Sequence, residues 1–166
     1  PAVSAGDKRV ILVDGEPVCA CLVPAAQVEG SSVTTVEGLA NGHLSSLQKS
    51  FLAHGAAQCG ICTPGLLVSA AALLERTAHP SETEVADALG GVLCRCTGYR
   101  KIVEAVMAAS RFHNLPDDMP AQGHAVGASP IRLDGIPKVN GTERFGADET
   151  PDGALAVVAI RSPHWH

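Results

Sequence analysis

Two closely spaced pairs of cysteines constrain this chain more than any other feature of its sequence. Cys59 and Cys62 form a C-x-x-C pair, and Cys94 and Cys96 form a tighter C-x-C pair later in the chain. Each pair stands just before a segment with a helical pattern, so both are predicted to lie at helix N-termini, where free backbone N–H groups favour anions. Thiolates are anions and good metal ligands. The spacing therefore predicts a four-thiolate metal site.

The composition limits what else the chain can be. It has 166 residues, 6 cysteines and a net charge of −5. It is not the small, loop-rich chain of a secreted disulfide scaffold, so metal binding is the better interpretation of the cysteines. No basic patch is available for nucleic acid. No apolar run reaches about 18 residues and no export signal is visible, so we expect no membrane span and a cytoplasmic protein, or a periplasmic one if a signal lies upstream.

The first part of the chain has the pattern of short β-strands. An apolar, β-branched run over residues 9–13 ends at Asp14 and Gly15, a pair typical of hairpin turns, and a return strand starts at Glu16. Residues 33–36 form a second β-branched run and are predicted as another short strand. A hairpin alone is only marginally stable, so this part should require neighbouring structure.

Three helices are predicted between residue 37 and the second cysteine pair. The first has apolar residues at helical spacing and ends at Gly55, which suits a left-handed cap. The second starts at Thr63 and Pro64, where the hydroxyl can cap free N–H groups, and is apolar on nearly all sides. Ser81 and Glu84 form a capping box at the start of the third.

A fourth helix is predicted after the second cysteine pair. It should begin near Gly98, with Thr97 as its cap, and end near Phe112. The residues expected on its inner face are Ile102, Val103, Val106 and Met107. The four helices are thus predicted to enclose the two cysteine pairs.

The rest of the chain changes character. Residues 114–130 contain glycines and prolines and are predicted to be a linker. From residue 131 onward, turn pairs such as Asp134-Gly135 and the apolar run over residues 154–160 predict short strands.

Three chemistries fit the paired cysteines. A [2Fe–2S] cluster contains two irons that each take two thiolates, so two pairs match it in number. A structural zinc also takes four thiolates, although the Cys94-x-Cys96 spacing is tighter than usual for zinc. Disulfides are a weaker alternative, because Cys62 lies in a compact apolar region. Spacing alone places the iron–sulfur interpretation only modestly ahead of zinc.

The residues around both pairs closely resemble a known family. Residues 58–65 read QCGICTPG and residues 91–99 read GVLCRCTGY. Both stretches resemble the helical [2Fe–2S] domain of the xanthine oxidase/aldehyde oxidoreductase family of molybdenum hydroxylases. The similarity runs from about residue 12 to residue 113. The tail, with RLDG at 132–135 and KVNG at 138–141, resembles the start of the molybdopterin-binding subunit of that family.

The resemblance implies a mainly α fold with small β parts, built from four successive parts. Residues 1–36 would be a partial plant-type ferredoxin-like domain that ends in a β-grasp hairpin. Residues 37–113 would form a four-helix [2Fe–2S]-binding bundle, and residues 114–130 a linker. Residues 131–166 would be the β-rich start of a molybdopterin-binding domain.

In this family the ferredoxin-like domain holds a second cluster with four cysteines. Cys21 corresponds to the fourth of these and would be a remnant ligand, whereas Cys19 is interpreted as a small buried residue. The other three positions fall near Pro1, Gly6 and Arg9, where the sequence has no cysteine. Either the ferredoxin half lies upstream or that cluster has been lost, and both alternatives stay open.

The resemblance also implies a direction of electron flow. Substrate is hydroxylated at a molybdenum centre, and electrons pass through molybdopterin to the cluster held by Cys59, Cys62, Cys94 and Cys96. They continue to a second cluster, to FAD on a flavin partner or to an external acceptor. Cys96 and Gln58 would face the molybdopterin of an adjoining large subunit or domain, although Gln58 fits equally well as a solvated side chain.

The chain shows no nucleophile with a base, no phosphate loop and no paired carboxylates, so no complete catalytic site is predicted within it. It is expected to be the electron-transfer part of a molybdenum-dependent oxidoreductase. Two alternatives are a zinc-stabilised structural module and a bridging chain without redox function.

Overall fold

The structure, a computed structural model, describes residues 10–115, 119–148 and 150–164. The predicted strand start at Arg9 and the positions near Pro1 and Gly6 lie outside these residues. The described residues form five α-helices and one three-stranded sheet, which confirms a mainly α fold with a small β part.

The sheet lies at the start of the described chain. Its strands are β1 (Val10–Val13), β2 (Glu16–Cys19) and β3 (Val33–Thr34), in the order β2-β1-β3 with antiparallel pairing. Asp14 and Gly15 both have positive φ, 50° and 87°, as the tight turns of two-residue hairpins require. The hairpin prediction is confirmed. The strand predicted over residues 33–36 covers only its first two residues, because a 3₁₀ turn follows.

The first two helices flank the first cysteine pair. Helix α1 (Ser46–Ala53) begins with a capping box in which Ser45 and Gln48 bond reciprocally, a signal that the sequence analysis missed. Gly55 has φ +61° and follows its end, as predicted. Helix α2 (Thr63–Arg76) begins where predicted, but Thr63 is its first residue and not its cap.

Helix α2 is the buried centre of the molecule. Leu66, Leu67 and Val68 are fully buried, and each such side chain contributes roughly 1.5–3 kcal/mol through burial. The hydroxyl oxygen of Thr63 is buried and has no hydrogen-bond partner within the described chain. No helix of the described residues is long and apolar enough to span a membrane.

The third and fourth helices pack against each other and against the first two. Helix α3 (Glu82–Leu89) has the predicted capping box at Ser81. Helix α4 (Arg100–Ala108) begins later than the predicted Gly98. The reason is that Gly98 and Tyr99 have φ of +60° and +65°, which cannot continue into a helix.

The inner face of α4 also differs from the prediction in one residue. Ile102 and Val106 are buried as expected, and Ala105 is fully buried beside them. Met107, predicted to face inward, is 42% exposed. Helical geometry explains why Ala105 is buried and Met107 is not, because residues 102, 105, 106 and 109 share one face of the helix and residue 107 lies outside it.

The strands predicted for residues 131–166 are wrong for the described part of this tail. That part contains helix α5 (Gly135–Asn140) and a single 3₁₀ turn, but no strand. In the run over residues 154–160, Leu155, Val157 and Ile160 are at least 89% exposed. A strand needs a partner for its backbone hydrogen bonds, and nothing in the described chain pairs with this run.

One apolar core joins the sheet, the helices and α5. Leu12 of β1 and Val139 of α5 belong to the same cluster of buried residues as Phe51 of α1 and Leu66 of α2. Helix α5 packs against both α1 and α2. The tail is therefore attached to the helical part through buried contacts.

Candidate metal centre

The first cysteine loop leads directly into α2. Cys62 is the N-cap of this helix and is 7% exposed, whereas Cys59 is exposed. Gly60 between them has φ +93°, and its carbonyl accepts a hydrogen bond from the Thr63 N–H at 3.3 Å. The Leu66 N–H donates to the Cys62 carbonyl at 3.1 Å, which fixes the cap. The loop thus presents one buried and one exposed thiol.

Hydrogen bonds from side chains fix the second cysteine loop. The hydroxyl of Tyr99 accepts from the backbone N–H of Cys94 at 2.7 Å and donates to the carbonyl of Val92 at 3.0 Å. The hydroxyl of Thr97 lies 3.1 Å from Cys94 Sγ and accepts from the N–H of Tyr99 at 3.1 Å. Thr97, predicted to cap a helix, instead closes this turn. Sequence reasoning missed Tyr99, although it is the one tyrosine in the chain.

The fold brings the two loops together as two pairs of sulfurs. Cys59 Sγ lies 3.4 Å from Cys96 Sγ, and both residues are exposed. Cys62 forms a hydrogen bond with Cys94, and these two are the more buried residues. Each pair therefore takes one sulfur from each loop, one pair near the surface and one inside.

Burial and mutual contact disturb the acidity of these thiols. Burial raises the pKa of Cys62 to about 12, and the hydrogen bond with Cys94 adds to the rise. Burial also acts to raise the pKa of Cys94, but hydrogen bonds with Thr97 and the Cys96 backbone outweigh it, so that pKa is lowered. The contact with Cys59 raises the pKa of Cys96. Metal coordination removes these penalties, because a bound cation stabilises the thiolates.

This donor set matches a two-iron centre in number, because two loops bring four cysteines together. A structural zinc would take all four thiolates on one ion. A [2Fe–2S] cluster requires two thiolates at each of two irons, which two sulfur pairs can supply.

A part of the tail lies against the first cysteine loop. The guanidinium of Arg132 donates to the carbonyl of Gln58 at 2.7 Å. The stem of Lys138 lies so close to Gly60 that an added Cβ there would be 2.8 Å from Lys138 Cγ. Neither cation was predicted from the sequence to take part in the site. The sequence signal for this contact is Gly60 between the two cysteines, because a glycine permits such a close approach of another side chain.

The other predicted residues lie as follows. Gln58 is exposed beside Cys59. Cys21 is paired with Cys19 outside the group of four, with 3.4 Å between their Sγ atoms. Both of these cysteines are exposed, so the prediction of Cys19 as a small buried residue is wrong.

Known proteins of one family are similar to this chain. The family model described as "[2Fe-2S] binding domain" matches residues 35–107. The chain is 56% identical over 99 residues to the "Nicotine 6-hydroxylase small subunit" of Paenarthrobacter nicotinovorans, covering 60% of each chain. The crystal structure of quinoline 2-oxidoreductase from Pseudomonas putida 86 matches with a TM-score of 0.59 and 44% identity, covering 66% of this chain and 72% of that one. The chain belongs to the molybdenum hydroxylase family, as part of its iron–sulfur component.

Within the molybdenum hydroxylases, the similarity also reaches the tail. Aldehyde oxidoreductase from Desulfovibrio gigas matches with a TM-score of 0.78 and 37% identity, covering 88% of this chain but 18% of that one. The chain thus spans about 60% of the nicotine hydroxylase small subunit and less than a fifth of the aldehyde oxidoreductase. Its relatives are oxidoreductases, and the chain corresponds to their iron–sulfur part.

Proposed function

We propose that this chain is the electron-transfer component of a molybdenum hydroxylase and holds its [2Fe–2S] cluster with Cys59, Cys62, Cys94 and Cys96. The observation that carries the proposal is the arrangement of these four sulfurs as two pairs, each with one sulfur from each loop. When bound, such a cluster supplies a one-electron redox couple. The residues around the four cysteines hold this cluster and determine which of its sides is exposed.

Each of the two loops contributes in a different way to holding the cluster. Cys62 at the N-terminus of α2 offers a buried thiolate where the helix dipole favours negative charge. Thr97 adds a hydroxyl that can donate to the Cys94 thiolate, and such hydrogen bonds stabilise negative charge on sulfur. Cys62 belongs to the apolar core, and Cys94 is partly buried against it.

The outer pair is the place where electrons would enter. Cys59, Cys96 and Gln58 are all exposed on the described chain, so a neighbouring surface can approach them. We assign this face to the molybdopterin of an adjoining large subunit or domain, with Gln58 and Cys96 nearest to it. Electrons would leave towards a second cluster, a flavin subunit with FAD or an external acceptor.

The parts of the chain are assigned on the same basis. Residues 1–36 would be a partial ferredoxin-like domain, with Cys21 as a remnant ligand of a second cluster, and residues 37–113 the four-helix cluster-binding bundle. Residues 114–130 would be a linker and residues 131–166 the start of the molybdopterin-binding part. The similarity to aldehyde oxidoreductase over 88% of the chain supports this order. A cytoplasmic location stays a prediction.

Anaerobic purification of the chain tests the proposal. We expect a red-brown protein with about two irons and two sulfides per chain, and a rhombic paramagnetic signal on reduction. Cys62→Ser and Cys94→Ser should abolish the signal, whereas the matched control Cys19→Ser should retain it. A colourless protein with one zinc per chain would instead establish the structural alternative. An unchanged signal in both ligand variants would refute the assignment of these cysteines.

A further inference from the structure

Arg132 connects the tail to the residue that precedes the first cysteine. Its Nε and one terminal nitrogen donate to the two carboxylate oxygens of Asp134, at 2.9 and 2.8 Å. This two-point contact fixes the plane of the guanidinium. The other terminal nitrogen donates to the carbonyl of Gln58 at 2.7 Å and reaches that of Ala57 at 3.5 Å. The backbone entering Cys59 is therefore held from the tail.

Lys138 holds the same loop at its next residue. An added Cβ at Gly60 would lie 2.8 Å from Lys138 Cγ and 3.1 Å from its Cδ. The ammonium is directed to Asp134 and Glu143, with Nζ–O distances of 2.9 and 2.7 Å. Only 4% of Lys138 is exposed. The buried stem thus forms a wall for the turn between the two cysteines.

The segment that carries both cations is itself packed against the core of the molecule. Val139 is fully buried, and its carbonyl accepts from the side chain of Gln48 at 2.9 Å. At Gly135, an added Cβ would lie 2.7 Å from Leu52 Cδ2, so α5 lies directly against α1. A rigid support of this kind can fix the position of a loop, which a loose tail cannot.

Stability alone is a poor reason for this arrangement. Burying a lysine between two carboxylates costs desolvation that its ion pairs recover only in part, and apolar replacements are often as stable. The carboxylates instead fix both side chains against one loop of four residues: Asp134 holds the guanidinium of Arg132, and Asp134 and Glu143 together hold the ammonium of Lys138.

We propose that Arg132 and Lys138 form a clamp that positions the Cys59–Cys62 loop and thereby controls how firmly the chain retains its cluster. The clamp residues are positioning residues, since they act through the loop and not on the irons. The inference rests on the proposed function, because it requires a bound cluster. It assigns part of the tail a role in the cluster-binding part of the same chain.

The test measures cluster release from the full chain after addition of excess chelator, followed by the decay of visible absorbance. Arg132→Gln removes the hydrogen bond to the loop, and Lys138→Met keeps most of the stem but removes the charge. Gly60→Ala perturbs the same contact from the loop side. The matched control is Arg100→Gln, which removes an arginine whose side chain is 87% exposed and which pairs with Glu104 on α4.

We expect release about tenfold faster in Arg132→Gln, the change that loss of one charge-assisted hydrogen bond produces. The signal of the reduced cluster should also broaden or shift, and the control should behave as wild type. Arg132 is partly exposed, so this variant is expected to fold even if Gly60→Ala does not. Wild-type release and spectrum in a folded Arg132→Gln would overturn the clamp. Faster release with an unaltered spectrum and an equal loss of helix content would also overturn it. A wild-type chain without any cluster would refute the proposed function instead.

Discussion

Replacing Tyr99 by phenylalanine should loosen the second cysteine loop without disturbing its packing. The change removes one hydroxyl, which accepts from the Cys94 N–H at 2.7 Å and donates to the Val92 carbonyl at 3.0 Å. Each such bond is worth about 0.5–1.5 kcal/mol net. Because Tyr99 is half-buried, water can replace part of the loss, and we expect a cost of about 1–2 kcal/mol.

The free-energy cost of Tyr99→Phe can be expressed as a rate of cluster release. If opening of the loop precedes loss of iron, about 1–2 kcal/mol corresponds to roughly 5- to 30-fold faster cluster release. The assay is decay of visible absorbance in excess chelator, with thermal unfolding of the same samples in parallel. Met107→Leu is the control, since it changes a half-exposed residue on the adjacent helix. Equal release rates for Tyr99→Phe and the control would show that the hydroxyl does not hold the loop.

Three further variants probe the scaffold. Ser81→Ala removes the cap of α3 and should cost about 1 kcal/mol in urea unfolding; no change in midpoint would contradict the cap. Phe51→Ala leaves a cavity at a fully buried site and should lower the free energy of unfolding by about 3–5 kcal/mol. Met107→Ala should change that free energy by less than about 0.5 kcal/mol. Hydrogen bonds from Arg132 and then Lys138 hold the pKa of Asp134 well below its ordinary value. Its contribution is complete above about pH 4 and is lost as the pH falls through the lowered pKa, so Asp134→Asn should flatten the acid side of a plot of melting temperature against pH. Superimposable acid limbs for the two proteins would refute this.

Local signals in the sequence predicted local structure well. The hairpin turn at Asp14 and the capping box at Ser81 involve residues within three positions of each other, so the sequence displays them directly. The four cysteines can be recognised as candidate ligands for the same reason, since the members of each pair lie two or three positions apart. Tyr99 was missed because its role depends on a left-handed backbone that spacing does not reveal.

Non-local contacts were beyond the reach of sequence patterns. The apolar run over residues 154–160 has the composition of a strand, but strand formation depends on a partner that a pattern cannot supply. The contact of Lys138 with Gly60 joins distant segments, and no periodicity in either predicts it. How the four sulfurs pair across the two loops likewise depends on the packing of helices, not on their order in the chain.

The buried seat of α5 has a consequence for the order of events during synthesis. The hydrogen bond from Gln48 to Val139 spans 91 residues, so the last part of the core is added long after α1 has been made. Closing so long a loop is entropically costly, which favours docking of α5 only after the four helices have formed. Until then the turn at Gly60 has no lysine against it. On the ribosome, the side of the first cysteine loop that faces Lys138 would therefore be the last to be enclosed.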